Sequence, residues 1–348
     1  NRALTLSSEL VMITGNILTD AGGVGGLGGA IIINGNVGLA PAVGTTILID
    51  TDVPSPGADG NITINGSLSV GSPTLTQVQI FGGQSGNVTI TGLTNIPGAT
   101  TNVGITGNNV RMAQTIVSPG TGTGNLDVTA ANSLTFTGQV VTGVGLAQFQ
   151  ANNDQVGAES FTTASNILTG GGDVNIFAGG RGSISIRLID ANPAGAAAPN
   201  PLVSLIAGGS IIDANGTLPN VRGTSLLAEA GAVPPGLGGA VPGATINLDT
   251  QVATINSVKT YGVGGNINLR NTGTLSIDGA FSTVNGSIDF RNQGNVTVNS
   301  TTGSGLIVAG GAGKLVNVTT TLGGNLVLEN QANPVPPNVP PDFGLIRA

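Results

Sequence analysis

The 348-residue chain holds 59 glycines but only 8 % charged and 3 % aromatic residues, with no Cys, His or Trp. Those absences exclude thiol nucleophiles, His-based triads and zinc sites; a net charge of −7, from 10 basic and 17 acidic side chains, argues against a track for nucleic-acid phosphates. A mean hydropathy of +0.30 separates the chain from charged disordered tails, and the absence of a run of about 18 unbroken apolar residues argues against a transmembrane helix.

In chain order, the sequence opens at Asn1-Arg2, in the manner of a processed protein or an excised piece, and Arg2-Ala-Leu-Thr-Leu-Ser-Ser8 reads as a strand. Gly22 to Gly29 interrupts the pattern as a projecting loop. Asp50 and Asp52 share one side of a strand end, but they border the Pro/Gly loop from Asp52 to Gly60 and read as turn formers. A phrase then appears, Gly60-Asn-Ile-Thr-Ile64, and returns as Gly86-Asn-Val-Thr-Ile90, Gly124-Asn-Leu-Asp-Val128 and Gly172-Asp-Val-Asn-Ile176. Gly120 to Asp127 resembles a repeat calcium loop with its acid displaced by one residue, and Gly170 to Gly172 leads into a strand and not into the helix that a phosphate loop requires. Further loops fall at Asp190 to Pro201 and Gly231 to Gly243.

The C-terminal third carries the clearest period. Gly265-Asn-Ile-Asn-Leu-Arg-Asn271 recurs as Gly286-Ser-Ile-Asp-Phe-Arg-Asn292, loosely as Gly305 to Gly311, and as Gly324-Asn-Leu-Val-Leu-Glu-Asn330, at offsets of 21, 19 and 19 residues. Apolar residues at the same spacing, Leu205, Leu226, Ile246, Ile267, Ile288, Ile307 and Leu326, define a predicted core stack. Within a coil the apolar positions alternate (Ile267, Leu269; Leu275, Ile277; Phe281), which is the period of a strand. Three short strands in about twenty residues form one rung of a parallel β-helix, an all-β β-solenoid in which each strand pairs with its counterpart one coil later. The solenoid is expected over 1–331, with Gly/Pro-rich loop insertions, followed by a Pro-rich extended tail over 332–348. Glycine and asparagine are expected at the corners because they tolerate positive φ.

Asn271, Asn292 and Asn330 fall at equivalent positions and either stack as an amide ladder or are solvated turn residues. Arg270, Arg291 and Glu329 form a predicted surface column, in which adjacent arginines repel unless Asp289 or an anion intervenes. No compact set of three acids appears at coil spacing, so catalytic residues, a metal and a cofactor are all absent from the expectation.

The recurrent Gly-Asn-Ile-x-Ile/Leu, as in Gly60 to Ile64, Gly86 to Ile90 and Gly265 to Leu269, resembles the coil repeat of bacterial filamentous-haemagglutinin-type and autotransporter-passenger β-helix proteins. The resemblance implies a right-handed β-helix, an extracellular or cell-surface location, and a role in adhesion, biofilm or surface layers. The leading expectation is a non-enzymatic structural or adhesive protein that associates with itself head to tail into a fibre. Surface glycans are the other partner considered. The alternatives are a carbohydrate-active β-helix enzyme or its stalk, and an internal fragment of a longer adhesin.

Overall fold

Alternation dictates the local structure. In Gln77–Phe81 the branched residues Val78 and Ile80 are fully buried while Gln77, Gln79 and Phe81 face outward, and Leu126–Ala130, Val174–Ala178 and Ile288–Gln293 repeat the pattern. The computed structural model describes residues 3–19, 27–41, 46–52, 58–70, 75–154, 156–191, 200–231, 240–299, 306–311, 314–328 and 345–347. Among these, all regular elements are strands, with no helix, and the strands pair in parallel from coil to coil. The chain is a parallel β-solenoid.

The strands form a 20-stranded and a 16-stranded sheet. A central coil gives two short strands to the larger sheet, such as Val110–Met112 and Thr115–Val117, and one longer strand, Leu126–Ala130, to the smaller. Nearer the C-terminus the division shifts: Ile267–Thr272 belongs to the larger sheet, and Leu275–Ile277 and Ala280–Thr283 to the smaller. The long strand Ile246–Gln251 makes the change by pairing through Ile246 with Ile211, and through Thr250 and Gln251 with Val221 and Arg222.

The core is organised as a column running from Leu4 through Ile31, Ile62, Val88, Val110, Leu134, Phe161, Ile184, Ile211, Ile246, Ile267 and Ile288 to Val316, each residue in register with the next. Leu4 and Val316, at its two ends, are half-buried; the rest are buried. Phe136, Phe149 and Phe161 cluster in the interior, fully buried, with ring centroids 5.1 to 6.2 Å apart.

This register corrects the predicted stack. Ile246, Ile267 and Ile288 do share a column, but Leu205 lies in the smaller sheet opposite Ala228, and Leu226 lies there between Val203 and Ile255. Ile307 faces Phe281 and Leu326 faces Val296, again in the smaller sheet. The cause is the loops. Coil-to-coil contacts span 21 residues between Asn247 and Asn268, 28 between Asp289 and Asn317, and 35 between Ser210 and Thr245. A constant spacing near twenty therefore slides from one strand column into another wherever an insertion lengthens a coil.

The corners also differ from expectation. Many of them use two residues for two different reasons. The first adopts positive φ, as in Gly264 at 82° and Asn285 at 52°. The second, the glycine of the repeated phrase, does not. Its missing Cβ would instead lie 2.2 Å from Ala244 O at Gly265, 1.8 Å from Gly265 O at Gly286 and 2.1 Å from Gly60 O at Gly86. It is glycine because the backbone of the preceding coil passes directly over it. Buried threonines close the same corners, Thr260 Oγ1 donating to Gly265 O (3.0 Å) and Thr283 Oγ1 to Gly286 O (2.9 Å).

The Pro-rich run Asn333 to Asp342 and the centres of the projecting loops lie outside the described residues. Leu345–Arg347, within the segment expected as a tail, pairs with Leu306–Ala309 as a further strand of the smaller sheet.

Because the Gly286 contact is with backbone, Gly286→Ala is expected to lower unfolding stability by about 1–3 kcal/mol in urea titration. An unchanged midpoint would show that adjacent coils can spread to admit a methyl group.

Candidate functional site

The outer surface of the C-terminal coils holds the charged column. The register places Asp249, Arg270, Arg291 and Thr319 in one row and Asn247, Asn268, Asp289 and Asn317 in the row two residues before it. Glu329, expected to continue the arginine row, lies outside the described residues, and Thr319 holds the position after Arg291. The two arginines are adjacent, and each has its own acid. Arg270 Nη1 is 3.6 Å from Asp249 Oδ1, while Arg291 embraces Asp289 through Nη2 to Oδ2 (2.8 Å) and Nε to Oδ1 (3.3 Å). Asn317 Nδ2 also donates to Asp289 Oδ1 (2.9 Å). Burial holds the Asp249 carboxyl above its ordinary range despite Arg270, and Asp213 reinforces the rise. The column is internally neutralised, so it offers no uncompensated cation to a sugar acid.

Asn271 and Asn292 are buried rather than solvated. Asn271 Nδ2 donates to Asn292 Oδ1 (2.8 Å), and Asn271 Oδ1 accepts from Thr250 Oγ1 (2.9 Å) and the Val252 N–H (3.0 Å). Asn292 Nδ2 reaches the carbonyls of Gly273, Gly294 and Asn295. Asn330 lies outside the described residues; the register puts Thr320 next in this row after Asn292.

A second polar row was not anticipated as such. The residue that follows the phrase glycine accepts a hydrogen bond from the backbone of its counterpart one coil on. The Asn87 N–H donates to Asn61 Oδ1 (2.8 Å), the Asn109 N–H to Asn87 Oδ1 (3.2 Å) and the Ser133 N–H to Asn109 Oδ1 (3.2 Å). Serines continue the row, with the Ser183 N–H on Ser160 Oγ and the Ser210 N–H on Ser183 Oγ. The repeated Gly-Asn was itself the signal: at Asn61, Asn87 and Asn266 its asparagine ties the N–H at the strand entry of the next coil to its own.

Two features lie on the outer face of the smaller sheet. Glu229 accepts from Ser257 Oγ and Tyr261 Oη, both at 2.8 Å, with Lys259 Nζ at 4.0 Å. Burial, aided by the neighbouring Glu229 carboxylate, pushes the Tyr261 phenol up to about 12. Further toward the N-terminus a groove of about 370 Å³ opens over Gly104, bordered by Gln77, Gln79, Phe81, Thr106, Asp127 and Gln148. Asp127 is solvent-accessible, yet the surrounding sheet face desolvates it enough to raise its carboxyl, against a weak opposing contact from Thr129 Oγ1 at 3.4 Å. Sequence reasoning had not singled out this groove. The available signal was a glycine at an outward position of the alternating segment Asn102–Gly107.

Asp50 Oδ1 accepts the Asp52 N–H (2.8 Å), a turn-forming contact. Among the described residues no group of three or more acidic side chains is placed to hold a metal ion, and no helix is long and apolar enough to cross a membrane. No family model, curated protein or solved structure matches the chain.

Two outcomes are expected. Asn292→Ala deprives Asn271 and three carbonyls of their partner in a buried setting, and denaturant titration should register a loss of about 2–3 kcal/mol; a loss below about 0.5 kcal/mol would mean that water replaces the ladder. Tyr261, the one tyrosine, should give a tyrosinate absorbance midpoint near 12 in the folded chain against an ordinary 10 unfolded. Its folded pKa is the higher, so the contribution is fully present below pH 10 and is lost as pH rises through about 12. A folded-state midpoint at the ordinary value would remove the Glu229 contact.

Proposed function

We propose that the chain is a non-enzymatic, extracellular structural or adhesive β-solenoid of a bacterial surface or matrix, joining further copies head to tail into a fibre. The observation that carries this reading is the continuity of the stack together with the condition of its outermost rungs. Leu4–Ile13 is paired only on the side of Ile31–Leu39, and Val316–Thr321 only on the side of Ile288–Gln293, among the described residues. An unpaired parallel strand is a template for one more strand in the same register. Leu10 and Met12 in the first described coil, and Leu322, Leu326, Val327 and Leu328 in the last coil described before Leu345–Arg347, are exposed, so these two coils carry unlike but apolar residues of the kind a heterologous contact that does not close into a ring would use.

The pairing of Arg270 with Asp249 and of Arg291 with Asp289 favours this reading over a carbohydrate-cleaving enzyme built on that column, because these side chains are engaged with one another and not turned toward a substrate.

Negative-stain electron microscopy over a concentration series is the test. Rods whose lengths are multiples of one unit are expected, and the double variant Leu326→Lys and Leu328→Lys should reduce them to single units while leaving the melting temperature unchanged, since both side chains are exposed. Single rods at every concentration for the native chain would overturn the proposal.

A further inference from the structure

Four glycines lie inside described strands, and three have a steric reason to be there. Gly35 has a φ of 138° and a Cβ there would strike Ser8 O; at Gly38 it would meet Met12 Sδ at 2.5 Å, and at Gly107 Val88 Cγ2 at 2.9 Å. Gly104 has no such reason. Its φ is ordinary, nothing lies within 4 Å of where its Cβ would be, and it sits mid-strand on the outward side, in register between Gln79 and Asp127. Glycine weakens a strand at such a point and gives up a cross-strand contact that threonine or valine would make. What it provides is space, the groove of about 370 Å³ above it.

We propose that the groove over Gly104 binds a neutral, hydroxyl-rich oligosaccharide segment. Gln77, Gln79 and Gln148 border it and are half-buried, and their side-chain carboxamides make no hydrogen bond to any described residue. Each carboxamide presents two donors and an acceptor, the mixed set that a sugar hydroxyl, itself donor and acceptor, satisfies. Asn102 and Asn125, also in the lining, already have their Oδ1 atoms engaged, accepting the N–H of Asn125 and Leu146. Phe81 supplies a half-exposed ring against which the C–H face of a pyranose can lie. Asp127 is the one charged residue in the lining. It accepts hydroxyl protons, repels phosphorylated, sulfated or uronic-acid chains, and leaves a basic peptide with a single counter-charge. An added β-strand is not accommodated, because the groove lies on the face of the sheet, where backbone groups are already paired on both sides. The site is independent of the end-to-end contact proposed above.

The test is retention of the full chain on immobilised neutral, acidic and amino oligosaccharides and on a basic peptide, with Gly104→Thr, Gln79→Leu and Asp127→Asn alongside. The native chain is expected to be retained by one or more neutral glycans. Gly104→Thr should weaken that retention about tenfold or more without lowering the melting temperature, since its side chain enters open space and favours the strand. Should Gly104→Thr fail to fold, Gln79→Leu, which leaves the groove open, should still weaken retention by removing one carboxamide. Asp127→Asn should admit acidic glycans that the native chain rejects. Retention by no neutral glycan, retention unchanged in Gly104→Thr and Gln79→Leu, or a preference for acidic chains or the basic peptide would each overturn the assignment. Fibres, scored separately, should persist in Gly104→Thr; their loss would place the groove in a contact between copies and would likewise overturn it.

Discussion

The structure depends on one constraint: every strand must find its counterpart one coil away, in register and parallel. Strands of three residues such as Val110–Met112 or Leu134–Phe136 are too short to persist singly. They exist because each is held from both sides, by backbone hydrogen bonds along the axis and by an inward side chain that packs on its counterpart above and below. A solenoid of this kind is stable as an array and not coil by coil.

Several local features of the sequence follow from that constraint rather than from the needs of a single turn. Where neighbouring coils approach most closely, at Gly86, Gly265 and Gly286, a side chain would collide with the backbone of the coil before it. Where a strand begins and its first N–H has no ladder partner within the coil, Asn61, Asn87 and Asn109 supply an oxygen from the coil below. Where the chain turns inward, Asn271 and Asn292 carry a hydrogen-bonded row through the protein interior, closed at one end by Thr250 and the Val252 N–H and at the other by carbonyl oxygens. Each of these is a contact between coils.

The parallel solenoid was legible because strand alternation and the repeated phrase are written in neighbouring residues, and Asn271 and Asn292 were legible as equivalent because they close two near-identical phrases. Membership of the core column was not legible beyond Ile246, Ile267 and Ile288. Leu205 and Leu226 keep the right spacing and the wrong strand, since the 35-residue offset between Ser210 and Thr245 breaks the count. The physical reason for the phrase glycine was also hidden: positive φ is a property of one residue, whereas close approach at Gly286 involves a residue 21 positions away. Gly104 was obscured by abundance, for among 59 glycines it stands out by lying inside a described strand with neither a positive φ nor a neighbour that would meet a Cβ.

The unequal coils have a consequence for length. Hydrogen-bonded strands stand about 4.8 Å apart whatever path the chain takes between them, so a coil that uses 35 residues advances the axis no further than one that uses 21. Insertion and deletion alter girth and leave height untouched. The molecule is in that sense a ruler whose graduations are set by the hydrogen bond between backbone amides, indifferent to how much polypeptide is wound between the marks.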